Sequence, residues 1–186
     1  MDRAEKYAER IFKKLKFTAS RYGKSVNGKA PDFFVCEEGH TIFLCEVKTV
    51  CDDEESYERE TVELDNTYNR IAAKIHTAYK QFSNVNKNHI LPNVLFIYNE
   101  EIGNDINDFV FTYEGQMRAT SGNTYALALK KTLEYKRIEE EKKYIDACIW
   151  YNESEDDLKV TFYSNSKYLA DLKKWLGSIN TEIQFY

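Results

Sequence analysis

The sequence predicts an α/β protein in which helices flank a central mixed β-sheet. Three observations lead there. Apolar residues recur at helical spacing in 2–16, 66–83, 124–142 and 166–176. Between those segments lie short runs rich in β-branched and aromatic residues, at 32–36, 41–50, 90–98, 144–151, 158–164 and 181–186. The resulting order, α–β–β–α–β followed by a second α–β–β–α–β, interleaves the two element types as a layered sheet-and-helix sandwich does. With 186 residues, two prolines and seven glycines, the chain reads as one domain without a linker.

The elements follow in order. Asp2 suits an N-cap, and behind it Ala4, Tyr7, Ala8, Ile11, Phe12 and Leu15 line one helical face. Residues 17–30 are extended and polar, with Gly23 and Gly28 marking turns. The runs 32–36 and 41–50 form a hairpin across Glu37, Glu38, Gly39 and His40. Residues 51–64 have no apolar rhythm and read as a mobile acidic loop. The second helix, 66–83, puts Ile71, Ile75, Ala78, Tyr79 and Phe82 on one side. A buried strand spans 90–98, with Pro92 near its start, where a missing donor matters least. In 101–122 the stretch 108–115 reads as a short strand or a loop. A helix over 124–142, two strands across the turn at 152–157, a helix at 166–176 and a last strand complete the chain.

Composition narrows the class. At 42% hydrophobic and 31% charged residues, the chain is of the soluble, folded kind. No run of about 18 apolar residues occurs, and the N-terminus is charged from its second residue, which predicts neither a membrane span nor a secretory signal; a cytoplasmic protein is expected. Cys36, Cys45, Cys51 and Cys148 lack the paired spacing of zinc ligands and are expected to be reduced. His76 and His89 read as structural. The net charge is −5, but the charge is segregated. Arg10, Lys13, Lys14, Lys16, Arg21, Lys24 and Lys29 form a basic arc without an acid between them. Asp52, Asp53, Glu54, Glu55, Glu58, Glu60, Glu63 and Asp65 then face the single Arg59. A local basic arc can contact phosphates whatever the global charge.

The hairpin holds the chemistry. Side chains alternate along a strand, so Ile42, Leu44, Glu46 and Lys48 share a face. In an antiparallel hairpin turning near 37–40, the partner of Glu46 is residue 31 or 32, which brings Asp32 to Glu46 and Lys48. Two carboxylates at a strand end suit Mg²⁺, which takes one or two carboxylates plus water and phosphate oxygens. A lysine beside them can orient a water or neutralise a phosphoryl group. The plain alternative is a cross-strand ion pair, Asp32–Lys48 or Glu46–Lys48.

Pro31-Asp32, thirteen further residues, then Glu46-Val47-Lys48 resembles the PD-(D/E)xK motif of the restriction-endonuclease-like nucleases. The flanks resemble it too: Gly28-Lys29-Ala30 ahead, an apolar run after Asp32, a Gly turn, and apolar residues around Glu46. The resemblance covers about 2–98 and implies an αβββαβ core, leaving about 99–186 as a C-terminal ββαβ extension. It implies that Asp32 and Glu46 hold Mg²⁺, with Mn²⁺ as a substitute, and that Lys48 assists the hydrolytic water. A first-helix glutamate joins the metal site in many members; Glu5 and Glu9 are the candidates, and Glu5 lies nearer the apolar face. Lys74 and Gln81, seven apart on the second helix, correspond to residues that approach the site. With Lys24 and Lys29 of the basic arc they form the expected nucleic-acid contacts.

The implied activity is Mg²⁺-dependent hydrolysis of phosphodiester bonds, with DNA favoured over RNA. A homodimer is consistent with this, because cutting both strands takes two sites. A partner subunit that supplies targeting is consistent as well, and the aromatic C-terminal half (Trp150, Tyr151, Phe162, Tyr163, Trp175, Phe185) offers surface for one. A different class is a binding or assembly module that keeps the fold without cutting, for which the acidic balance speaks.

Overall fold

The computed structural model describes residues 1–22, 30–51, 64–115, 117–118, 124–125, 133–179 and 183–184. The first helix, α1 (Arg3–Lys14), starts where a capping box closes it. The Asp2 carboxylate accepts from the Glu5 N–H at 2.8 Å, and the Glu5 carboxylate accepts from the Asp2 N–H at 3.1 Å. Ala4, Ala8 and Phe12 are buried against the sheet. Lys16, with φ at 68°, turns the chain into β1 (Thr18–Arg21). The sequence predicts extended, polar chain here; the segment is the edge strand, antiparallel to β2 (Phe33–Glu37).

β2 returns as β3 (His40–Val50) through a two-residue turn, with Glu37 opposite His40. Glu38 and Gly39 both have positive φ, 50° and 83°, the signs of a type I′ turn, which matches the right-handed twist of the strands. Glu38 is the strained member, since left-handed backbone disfavours a side chain other than Asn or Asp. Glu38→Asn is therefore expected to raise stability by about 0.5–1 kcal/mol, read from the urea midpoint. A midpoint at or below that of the wild type would show that the turn carries no such strain.

One bulge changes the face assignment. Val35 pairs with Phe43 but Cys36 pairs with Thr41, so Ile42 is an extra residue on β3. Ile42 joins Phe43 in the core on the α1 side instead of sharing a face with Leu44, as simple alternation predicts. From Leu44 onward alternation resumes. Cys45 and Val47 enter the α1-side core, while Leu44 and Val50 enter the other one.

β3 crosses through α2 (Leu64–Val85) to β4 (Asn93–Asn99), its parallel neighbour, and β4 is in turn parallel to β7 (Ala147–Asn152). β8 (Asp157–Phe162) runs back against β7. The open mixed sheet thus has the order β1-β2-β3-β4-β7-β8, with the two-residue β9 (Ile183–Gln184) parallel to β8. α1 and α5 (Leu169–Leu176) cover one face, and Phe12, Phe43, Phe96 and Leu172 lie in the core between. α2 and α3 (Ile106–Glu114) cover the other, over Leu95, Ile97 and Trp150. Each face is dry, so the central strands read as near-continuous apolar runs.

α3 occupies the stretch read as a strand or loop. The side chains of Asp105 and Asp108 form a capping box, and Gly115, at φ 64°, ends the helix. Phe109 and Tyr113, four apart, supply its buried side. The aromatic run suggests β-propensity, but the caps and the waiting core decide for helix. The helix expected over 124–142 is α4 (Leu133–Glu141), followed by a 3-10 turn at Lys142–Tyr144. Thr124–Tyr125 is instead strand β6, paired with β5 (Met117–Arg118). The expected loop at 51–64 lies outside the described residues at 52–63, and Leu64 already belongs to α2. Among the described residues no helix is long and apolar enough to cross a membrane. Cys36, Cys45, Cys51 and Cys148 are all free thiols.

Candidate functional site

The register that pairs Phe33 with Cys45 makes Asp32 and Glu46 the next opposed pair. Side-chain carboxylates tie the strands together there. The Asp32 N–H donates to Glu46 Oε2 at 3.2 Å, and the Val47 N–H donates to Asp32 Oδ2 at 2.8 Å. Lys48 is two residues along β3 and so on the same face, and its ammonium donates to Glu46 Oε1. From α2, Gln81 Nε2 donates to the Ala30 carbonyl at 3.2 Å, and the Gln81 side chain lies near the Glu46 carboxylate and favours its charged form. Gln81 Oε1 is buried without a donor among the described residues.

Glu46 is an acid inside the protein. It sits on an interior strand between β2 and β4, beneath α2, and is 0% exposed. Burial pushes its carboxyl up from 4.5 to about 8; Lys48 opposes that, Asp32 adds to it, and Gln81 favours the charged form. A carboxylate without water is costly unless ion pairing and hydrogen bonds compensate. Lys48 keeps 19% of its side chain exposed, so its ammonium lies between the buried acid and solvent. The thiol of the adjacent Cys45 is pushed well up by burial and then by Asp32 and Glu46, and so stays protonated and inert.

Four of the expected residues thus come together: Asp32, Glu46, Lys48 and Gln81. Lys74 lies two turns before Gln81 on α2 and is half-buried. Lys24 and Lys29 lie outside the described residues. Glu5 is placed elsewhere. It belongs to α1, on the opposite face of the sheet, where it closes the capping box and ion-pairs with Arg21. Glu9 is exposed. Among the described residues no group of three His, Cys, Asp or Glu side chains is placed to hold a cation, so Asp32 and Glu46 stand as a pair. The basic arc is divided as well: Arg21 is engaged by Glu5, and Arg10 lies over the Tyr7 ring.

His76 and His89 have structural partners. His89 Nε2 pairs with Asp146 Oδ2 at 2.6 Å, and His76 Nδ1 pairs with Glu141 Oε1 at 2.5 Å. The Ala30 carbonyl that seats Gln81 was not foreseen, because a backbone acceptor leaves no trace in residue type. No protein-family model, curated protein sequence or solved structure matches the chain.

Proposed function

We propose that the chain is a Mg²⁺-dependent nuclease of the PD-(D/E)xK type, acting on DNA in preference to RNA. The observation that carries this reading is the convergence of Asp32, Glu46 and Lys48 at one end of the β2–β3 hairpin, with Glu46 fully buried. The order α1–β1–β2–β3–α2–β4 supports it, being the core that the motif's resemblance implies.

The donor set fits a hard divalent cation. Asp32 commits one carboxylate oxygen to the Val47 N–H, and its other oxygen takes no hydrogen bond from a described residue. Glu46 offers the second carboxylate. Mg²⁺ uses one or two such groups and completes its shell with water and phosphate oxygens. When bound there, the ion would supply Lewis acidity toward a phosphoryl oxygen and acidify a water. The chain's own residues do the rest. The β3 backbone fixes Asp32, and Gln81, anchored on Ala30, lies beside the Glu46 carboxylate and favours its charged form. Lys48, whose ammonium lies between Glu46 and solvent, can hydrogen-bond an attacking water or the phosphoryl oxygens.

A second reading has a specific observation behind it. Each charged group has an internal partner, Glu46 with Lys48 and Asp32 with the Val47 N–H, so the cluster also serves as a clasp at the hairpin end in a non-cutting binding module. One assay separates the two. Linear, circular and single-stranded DNA, and RNA, are incubated with Mg²⁺ or Mn²⁺ or with EDTA. Cleavage is expected with metal alone and is expected to fall on the order of 10²–10³-fold in Asp32→Ala and Lys48→Ala. Wild-type rates in both variants would remove the assignment. No cleavage, together with no thermal stabilisation by Mn²⁺, would leave the clasp. The same preparations, sized by gel filtration, test the homodimer and the partner-subunit expectations.

A further inference from the structure

A concavity lies on the α1 side of the sheet, across it from Glu46. It has a volume of about 410 Å³ and is lined by Arg3, Lys6, Tyr7, Arg10, Tyr98 and Tyr151, with Glu153 at its edge. Arg3, Lys6 and Arg10 recur at three- and four-residue spacing, so α1 presents them along one flank. Tyr98 and Tyr151 are register partners at the carboxyl ends of β4 and β7 and form the floor. Tyr7 stacks on Tyr151 at 3.8 Å between ring centroids and meets Tyr98 edge-on at 5.8 Å. The Arg10 guanidinium lies 4.6 Å from the Tyr7 centroid and that of Arg3 lies 5.8 Å from the Tyr98 centroid.

The charge balance points to an anion. Glu153 is the one acid in the lining; it ion-pairs with Arg3, whose guanidinium lies over the Tyr98 ring. Among the described residues neither Lys6 nor Arg10 has a carboxylate partner, although both are exposed and the chain carries net charge −5. Lys6 and Arg10, four apart on one helix, repel each other, and an anion between them relieves that repulsion. The volume is that of a small-molecule site and far exceeds a lone phosphate. Tyrosine rings beside paired cations suit a ligand with a charged end and a flat aromatic end.

We propose that this pocket binds a nucleoside phosphate. Lys6, Arg10 and Arg3 take the phosphate, and the base lies against the tyrosines. The site uses no residue of the Asp32–Glu46 cluster and stands whether or not that cluster cuts. The ligand comes either as a free mononucleotide or as the terminal nucleotide of a strand.

Calorimetric titration in EDTA, where no metal-dependent hydrolysis occurs, tests it. The probes are AMP, adenosine, inorganic phosphate, and oligothymidylate with a 5′-phosphate or a 5′-hydroxyl. Saturable binding is expected for AMP, for the 5′-phosphorylated strand, or for both, and none for adenosine. AMP should bind at least about tenfold more tightly than inorganic phosphate, and Lys6→Ala/Arg10→Ala should weaken binding by about tenfold or more. Tighter binding of the phosphorylated than of the hydroxyl strand identifies a strand end; AMP binding without that difference identifies the free nucleotide. The proposal is overturned if neither phosphate ligand saturates at millimolar concentration. It is also overturned if phosphate matches AMP, or if the double variant, with a wild-type melting curve, binds equally well. Lys6→Glu, a single exposed change, repeats the comparison should the double variant not fold.

Discussion

Glu46→Gln is expected to abolish metal-dependent cleavage, on the order of 10²–10³-fold, and to flatten the pH dependence of stability. Glutamine has the shape of a protonated glutamate, so it fits the same buried place between Lys48 and Gln81. It lacks the negative charge that a hard cation needs. The stability effect follows from linkage. Glu46 titrates near its ordinary value of 4.5 when unfolded and at about 8 when folded. Between those values the folded state binds the extra proton. Its stabilising contribution is complete below about pH 4.5 and is lost as pH rises through 8. At about 1.4 kcal/mol per pKa unit, the whole change is on the order of 5 kcal/mol. Urea midpoints at pH 5, 7 and 9 without metal should therefore drop more steeply for the wild type than for Glu46→Gln. Parallel profiles would mean that Glu46 ionises as it does in water, and the buried-acid description would be wrong. The same proton predicts that Mg²⁺ binding near pH 7 releases about one proton and strengthens as pH rises toward 8.

Asp146→Ala is expected to cost about 3–5 kcal/mol, a large part of the 5–15 kcal/mol that a domain of this size typically has. Asp146 lies just before β7 and is 1% exposed. Its Oδ2 accepts from the Asn93 N–H at 2.8 Å and pairs with His89 Nε2, and its Oδ1 accepts from the Ser166 hydroxyl. One carboxylate thus joins the entry to β4, the start of β7 and the approach to α5. Alanine leaves the buried Asn93 N–H without an acceptor and removes the partner of the half-buried His89 and Ser166, which costs more than the net worth of the bonds. The urea midpoint should fall while the slope stays constant. Cleavage per folded molecule should be unchanged, because Asp146 touches none of Asp32, Glu46, Lys48 or Gln81. Asp146→Asn, which keeps an acceptor oxygen, should lose less. A loss under about 1 kcal/mol for the alanine variant would show that water replaces the missing carboxylate.

That the entry to β2 meets Glu46 and Lys48 was legible from the hairpin, because a short turn and a period of two depend on residues 31–48 alone. Which residue faces Glu46 was not: the two-residue turn by itself pairs residue 31 with Glu46, and the bulge at Ile42 shifts the register by one and brings Asp32 there. The helices α1, α2 and α5 were legible from apolar spacing, as were β2, β3, β4, β7 and β8 from their apolar and aromatic runs. Ile42 was misassigned because a bulge is decided by how two strands and a core fit together, not by one strand's alternation. β1 was passed over because an edge strand with exposed ends carries little apolar signal. Tertiary structure alone decided that α2 lies over Glu46 and closes it from water, which lifts its proton affinity. It alone put α1 on the opposite face, so that Glu5 meets Arg21 while Arg3, Lys6 and Arg10 line one pocket with Tyr98 of β4 and Tyr151 of β7. Periodicity tells which side of an element is apolar. Which element covers it is settled only when every apolar side is buried at once, and that solution is a property of the whole chain.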